Sequence, residues 1–128
     1  MAYLSKSNIG WVMSGLFALF MLGASVAPKL AGMPRASETM TALGWPDSPI
    51  LLIGVLELIC TLLFLIPQTA TLGAVLMMAI LGGAITTQLR ADSPLASHTL
   101  FGVYLGLWMW SGLWLRDPAL RTVFPFRR

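Results

Sequence analysis

The stretch SPILLIGVLELICTLLFLI, residues 48–66, is an apolar run that carries a single acid, Glu57. Ser48 marks its start, and Pro49 suits the first position of a helix, where a missing N–H costs nothing. Pro67 stops it. A run of this length matches the ~20 residues that cross the hydrocarbon of a bilayer. Glu57 lies about nine residues in, ~13 Å from the start at 1.5 Å per residue, which is near mid-membrane. A charged acid at that depth costs several kcal/mol. It is therefore expected to face a bundle interior and find hydrogen-bond partners, protonation at neutral pH being the other way to lower that cost. Gly54, Glu57 and Thr61 follow the i, i+3, i+7 spacing of one helix face, so a neighbouring backbone can approach closely there. Cys60, the only cysteine, lies beside them and permits no intramolecular disulfide.

Three more apolar stretches, about residues 9–29, 71–89 and 97–115, flank this one. At ~20 residues per crossing they take up most of the chain, leaving short loops and tails. Of the 128 residues 57% are hydrophobic and 10% charged, against about 25% charged in an ordinary soluble domain. The composition predicts an all-α membrane protein: one domain over residues 1–128, folded as an antiparallel four-transmembrane-helix bundle with short loops. Lys6 ahead of an apolar core and Ser25-Val26-Ala27 after it also resemble a secretory signal. The apolar run exceeds the usual length for one, so it is expected to stay as the first helix, capped by Ser7 or Asn8 and ending near Pro28 and Lys29. The linker 30–47 is rich in charges and turn formers. It is expected to lie outside the lipid, with a short interfacial helix over 37–43 that turns Met40 and Leu43 to the bilayer and with Trp45 at headgroup level.

The net charge of +3 forms no cluster of the kind a nucleic acid requires. Four crossings would gather Lys6, Arg116, Arg121, Arg127 and Arg128 on one side and Lys29, Arg35 and Arg90 on the other. Five against three predicts both termini in the cytoplasm of a bacterial inner membrane.

Around Glu57 the sequence places further polar groups. Ser14, Ala18, Leu22, Ser25 and Lys29 form a stripe along the first helix. Lys29 has two readings, snorkelling to water at the rim or closing a cavity mouth and pairing with an acid. Gly83, Thr87 and Arg90 share a face of the third helix, with Gln88 beside it. The antiparallel register sets Glu57 level with residues 80–84, so a polar pocket is expected to open to the non-cytoplasmic side. Tyr104 in the fourth helix is expected to reach it. Gly102 and Gly106 form a GxxxG pair suited to close contact, while Trp108, Trp110 and Trp114 read as an aromatic belt. His98 is the only histidine, and no metal site, phosphate loop or nucleophile elbow is legible.

Lys29-Leu30, Leu43-Gly44-Trp45-Pro46, Gly54-Val55-Leu56-Glu57-Leu58 and Gly83-Ala84 with Thr87-Gln88-Leu89-Arg90 together resemble the DoxX-like family of small four-helix membrane proteins. The resemblance covers about residues 10–115, and its most specific part is the Gly-x-x-Glu-Leu element. The family takes its name from a subunit linked to quinone-dependent sulfur oxidation, so the resemblance implies an association with membrane redox systems. Many relatives carry His where this chain has Gln88, which hydrogen-bonds but does not titrate.

These residues predict a pocket around Glu57 for a small lipophilic ligand, quinone- or isoprenoid-like, with no bound cofactor and with the bilayer as surroundings. Ser25, Lys29, Gly54, Thr61, Gly83, Thr87 and Arg90 are its expected binding residues. An enzymatic alternative uses Glu57 as general acid or base, with Thr87, Gln88 or Tyr104 polarising a lipophilic substrate for isomerisation, epoxide opening or cyclisation. A third reading is a structural or assembly protein, and a homo-oligomer or a membrane redox partner stays open.

Overall fold

The computed structural model describes residues 5–127, and these form helices with no strand among them. Arg128, counted above with the cytoplasmic charges, lies outside the described residues. The elements are α1 (Lys6–Leu30), α2 (Pro34–Ala42), α3 (Ile50–Leu65), α4 (Ala70–Arg90), α5 (Phe101–Arg116) and α6 (Pro118–Val123). A π turn, Leu95–Thr99, leads into α5. By length and composition α1 and α4 can each cross a membrane, and α3 is a shorter apolar helix.

The ends of the elements differ from the sequence expectation in physically simple ways. Ser5, ahead of Ser7 and Asn8, caps α1: its hydroxyl accepts from the Asn8 N–H at 3.2 Å. Pro49 stands just outside α3 rather than within it. The linker helix runs from Pro34 to Ala42, because Pro34 at its first turn sets the helical φ earlier than expected. Beyond α5, Asp117 accepts from the backbone N–H groups of Ala119 at 3.0 Å and Leu120 at 3.3 Å. That cap starts α6, an element the sequence reading does not contain.

Helix α1 widens to a π turn over Met21–Val26, where the Ala27 N–H donates to the carbonyl of Leu22, five residues back. Pro28 follows immediately and has no N–H for the carbonyl of Ala24, so the shift in ladder register occurs where the α pattern fails. It also moves the inward face. Met21 is buried at 1% exposure, in the place the helical stripe assigned to Leu22, while Ser25 and Lys29 remain on the inner side.

The long helices pack antiparallel around one core. Near the start of α1, a Cβ on Gly10 would sit 2.6 Å from the Gly112 carbonyl of α5, so the two backbones meet where neither residue has a side chain. Gly102 and Gly106 give α4 the same access, against Ile85 and Met78. Phe17, Phe64, Met77 and Met109 are fully buried. Phe17 meets Phe64 and Trp108 edge-on, both at 5.6 Å. Trp108 thus leaves the expected aromatic belt for the core edge, and its indole N–H donates to the Met13 carbonyl at 3.0 Å. Outward, Leu16, Leu19, Leu51, Leu62, Val75 and Leu107 are exposed.

Candidate functional site

The site starts from a close approach of two helices. A Cβ on Gly54 would lie 2.8 Å from Cβ of Lys29 and 3.2 Å from a methyl of Leu30, so only glycine lets the last turn of α1 rest on α3 there. Glu57 is three residues further along the same face and only 4% exposed. Lys29 Nζ is 2.8 Å from Glu57 Oε1. The Ser25 hydroxyl donates to Glu57 Oε2 at 2.6 Å. Lys29 donates in turn to Ser25 Oγ at 2.7 Å and to the Ser25 carbonyl at 3.3 Å. At that distance the ammonium and Oε1 form a charge-assisted contact, so both carboxylate oxygens of Glu57 have a partner on α1. The pairing reading of Lys29 therefore holds over the snorkelling one. Its charge compensates an acid that would otherwise be buried alone.

This triad forms one wall of a cavity of about 480 Å³, within the ≈ 300–1,000 Å³ of small-molecule sites. Gly83, Ala84, Thr87 and Gln88 of α4 form the opposite wall, with apolar surface from Phe20, Phe101 and Leu105. The expected register is met, since Glu57 lines the same space as Ile80, Leu81, Gly83 and Ala84. The Thr87 hydroxyl donates to its own helix, at the Gly83 carbonyl, 2.8 Å away. Gln88 Oε1 is buried and has no hydrogen-bond partner among the described residues.

The linker closes one side. Met40 of the short helix and Leu43 and Trp45 beyond it line the cavity, so they turn toward the site and not simply toward lipid. Gly44, at φ +83°, makes the turn that leads into Trp45. Arg90 Nη2 donates to the Gly44 carbonyl at 3.4 Å. His98 and Thr99 also contribute to the lining.

Of the residues expected at the site, Ser25, Lys29, Glu57, Gly83, Thr87 and Gln88 line the cavity together. Gly54 stands behind the triad. Like Gly54, three others do not reach the lining. Thr61 is buried and its hydroxyl donates to the Glu57 carbonyl at 2.8 Å. Arg90 holds the linker. Tyr104 turns away, its hydroxyl donating to the Ala96 carbonyl at 2.7 Å. The sequence reading misses the linker's contribution, for which the only signal is the Leu43-Gly44-Trp45 run, and misses the aromatic wall. Cys60 is buried and lies outside the lining. Among the described residues no three His, Cys, Asp or Glu side chains gather as a metal site.

Chemically, the arrangement offers a carboxylate with fixed partners, a carboxamide and an apolar chamber. Comparison with curated proteins and with solved structures gives no match in either case. The family model of the DoxX-like family matches residues 12–112, most of the described helices and every member of the triad, and the chain belongs to that family.

Proposed function

We propose that this protein crosses a bacterial inner membrane four times, with both termini cytoplasmic, and holds a small lipophilic ligand in the cavity around Glu57. The leucine- and valine-rich outer faces of the long helices support the membrane reading, because a helix apolar all round needs lipid or protein about it. Gly10 packs beside Arg116, and Arg116 donates to the Phe64 carbonyl. The Lys6, Arg116 and Arg121 end thus lies opposite the Lys29, Arg35 and Arg90 end, as positive-inside counting requires.

The observation that carries the ligand reading is the Ser25–Lys29–Glu57 triad facing an apolar chamber. Polar groups at membrane depth are costly and concentrate where they do work. Quinone-like and isoprenoid-like molecules fit the combination of apolar wall and few fixed polar groups, and service to a membrane redox partner follows from the first of these. Of the three polarising groups that the enzymatic alternative offers, Thr87 and Gln88 line the cavity and Tyr104 does not.

The test is equilibrium binding of a short-chain quinone and of farnesol to the protein in nanodiscs. Wild type is expected to bind one of them saturably and the Glu57→Ala protein to lose that binding while staying folded. Undiminished binding by a folded Glu57→Ala protein overturns the proposal.

A further inference from the structure

Three of the four seams between the long helices are closed beside the cavity. The last turn of α1 rests on α3 at Gly54, where a Cβ would be 2.8 Å from Lys29 Cβ. Between α4 and α5 a Cβ on Gly102 would be 2.7 Å from Ile85. The rings of Phe20 and Phe101, 6.0 Å apart, cover the seam of α1 with α5. The fourth seam, α3 with α4, is tight near its turn, where Gly73 packs on the backbone of Phe64. Further along α4, level with the triad, a Cβ on Gly83 would meet nothing within 4 Å. Gly15, Gly23, Gly32 and Gly82 also stand in open space, but of these five only Gly83 lines the cavity. Across from it Leu56 lines the same cavity and is nevertheless 44% exposed. Ala79, Gly83 and Ala84 are likewise exposed and part of the lining. Residues that belong both to the lining and to the exposed surface mark the edges of an opening.

We infer that the cavity opens sideways between α3 and α4, over Gly83, and takes long-chain lipids whose chain runs out through this gap into the bilayer. This rests on the ligand-binding and membrane readings above and deepens them. A chamber of about 480 Å³ encloses a drug-sized molecule, so a longer prenyl or acyl chain has to leave it. Both edges of the gap are apolar, Leu56 on α3 and Ala79, Gly83 and Ala84 on α4. A chain lying there exchanges lipid neighbours for side chains of the same polarity and desolvates nothing polar. Glycine within a helix weakens it relative to alanine. At Gly54 and Gly102 the approach of another helix accounts for that weakness; at Gly83 no helix comes close, and the gap accounts for it.

The experiment compares farnesol with solanesol, prenyl alcohols that share a head and differ in chain length, by competition against tritiated farnesol on protein in nanodiscs, with concentrations counted as mole fractions of the bilayer. Wild type is expected to bind the two within about threefold of each other, because the extra chain stays in lipid. Gly83→Leu narrows the gap and is expected to weaken solanesol at least about tenfold relative to farnesol, by a clash that the short chain avoids. Leucine is the better helix former and its Cβ meets no neighbour at this position, so the fold is kept. Leu56→Trp narrows the gap from the other edge and gives the same readout should the first variant not fold. A wild type that binds farnesol and rejects solanesol, or an unchanged ratio in both folded variants, overturns the lateral opening and leaves the cavity reading standing. Failure of folded wild type to bind farnesol at all overturns the cavity reading and this inference with it.

Discussion

Replacing Lys29 with methionine removes the ammonium and keeps most of the side chain's length, so it isolates the charge. In the structure Nζ and Glu57 Oε1 are 2.8 Å apart, with the lysine side chain 16% exposed and the glutamate 5%. At an effective dielectric of about 20, two unit charges at that distance attract by about 6 kcal/mol. Most of that offsets desolvation, so the pair's net worth is far smaller. Removing one partner is different, because it leaves the other charge buried, and such truncations cost about 3–5 kcal/mol. The lysine's residual exposure and the Ser25 hydroxyl on Oε2 put Lys29→Met at the lower end, about 3 kcal/mol. The double variant Lys29→Met/Glu57→Gln buries no unpaired charge and is expected to recover at least half of the loss. Equilibrium unfolding in mixed detergent micelles, followed by tryptophan fluorescence through the full double-mutant cycle, measures both quantities. A single-variant cost under about 1 kcal/mol, or additive losses in the double variant, refutes the claim that Lys29 compensates a buried Glu57.

Three further outcomes follow from the packing. Gly54→Ala inserts a methyl 2.8 Å from Lys29 Cβ; it is expected to cost about 1–3 kcal/mol in the same unfolding assay and to weaken ligand binding by moving Lys29 off Glu57. Arg116→Ala removes a guanidinium that lies 4.1 Å over the Trp11 ring and 4.7 Å over the Phe64 ring and that donates to the Phe64 carbonyl. It should destabilise by about 2–4 kcal/mol and leave the ligand dissociation constant within a factor of about two, since Arg116 is outside the cavity. Tyr104→Phe loses one hydrogen bond, to Ala96, and is expected to lower stability by at most about 1 kcal/mol with no change in binding; a marked loss of binding would return Tyr104 to the site.

What the sequence makes legible here is what helical periodicity and depth determine. Glu57 and Gly54 share a face because three residues separate them, and the antiparallel turn at Pro67 sets α4 level with them, so the Glu57 wall and the α4 wall are both readable. Lys29 is readable only as far as its two alternatives. The choice between them depends on how closely α1 approaches Gly54, a tertiary fact. The π turn at Met21–Val26 escapes a 3.6-residue pattern by definition, and Leu22 and Met21 exchange places as a result. Tyr104 fails for a related reason. The π turn ahead of α5 and the Ala96 carbonyl fix where its hydroxyl goes, and neither is visible in spacing. Trp45 and its neighbours reach the cavity because Arg90 and the left-handed Gly44 hold the linker over it, a long-range contact that local composition does not encode.

The most direct measurement is native mass spectrometry of the protein released from nanodiscs carrying a natural bacterial lipid extract. Wild type should retain one small lipophilic molecule per chain, and folded Glu57→Ala protein should retain none. Equal retention by both would contradict a site organised by that carboxylate, as would a wild-type chain that carries only bulk phospholipid.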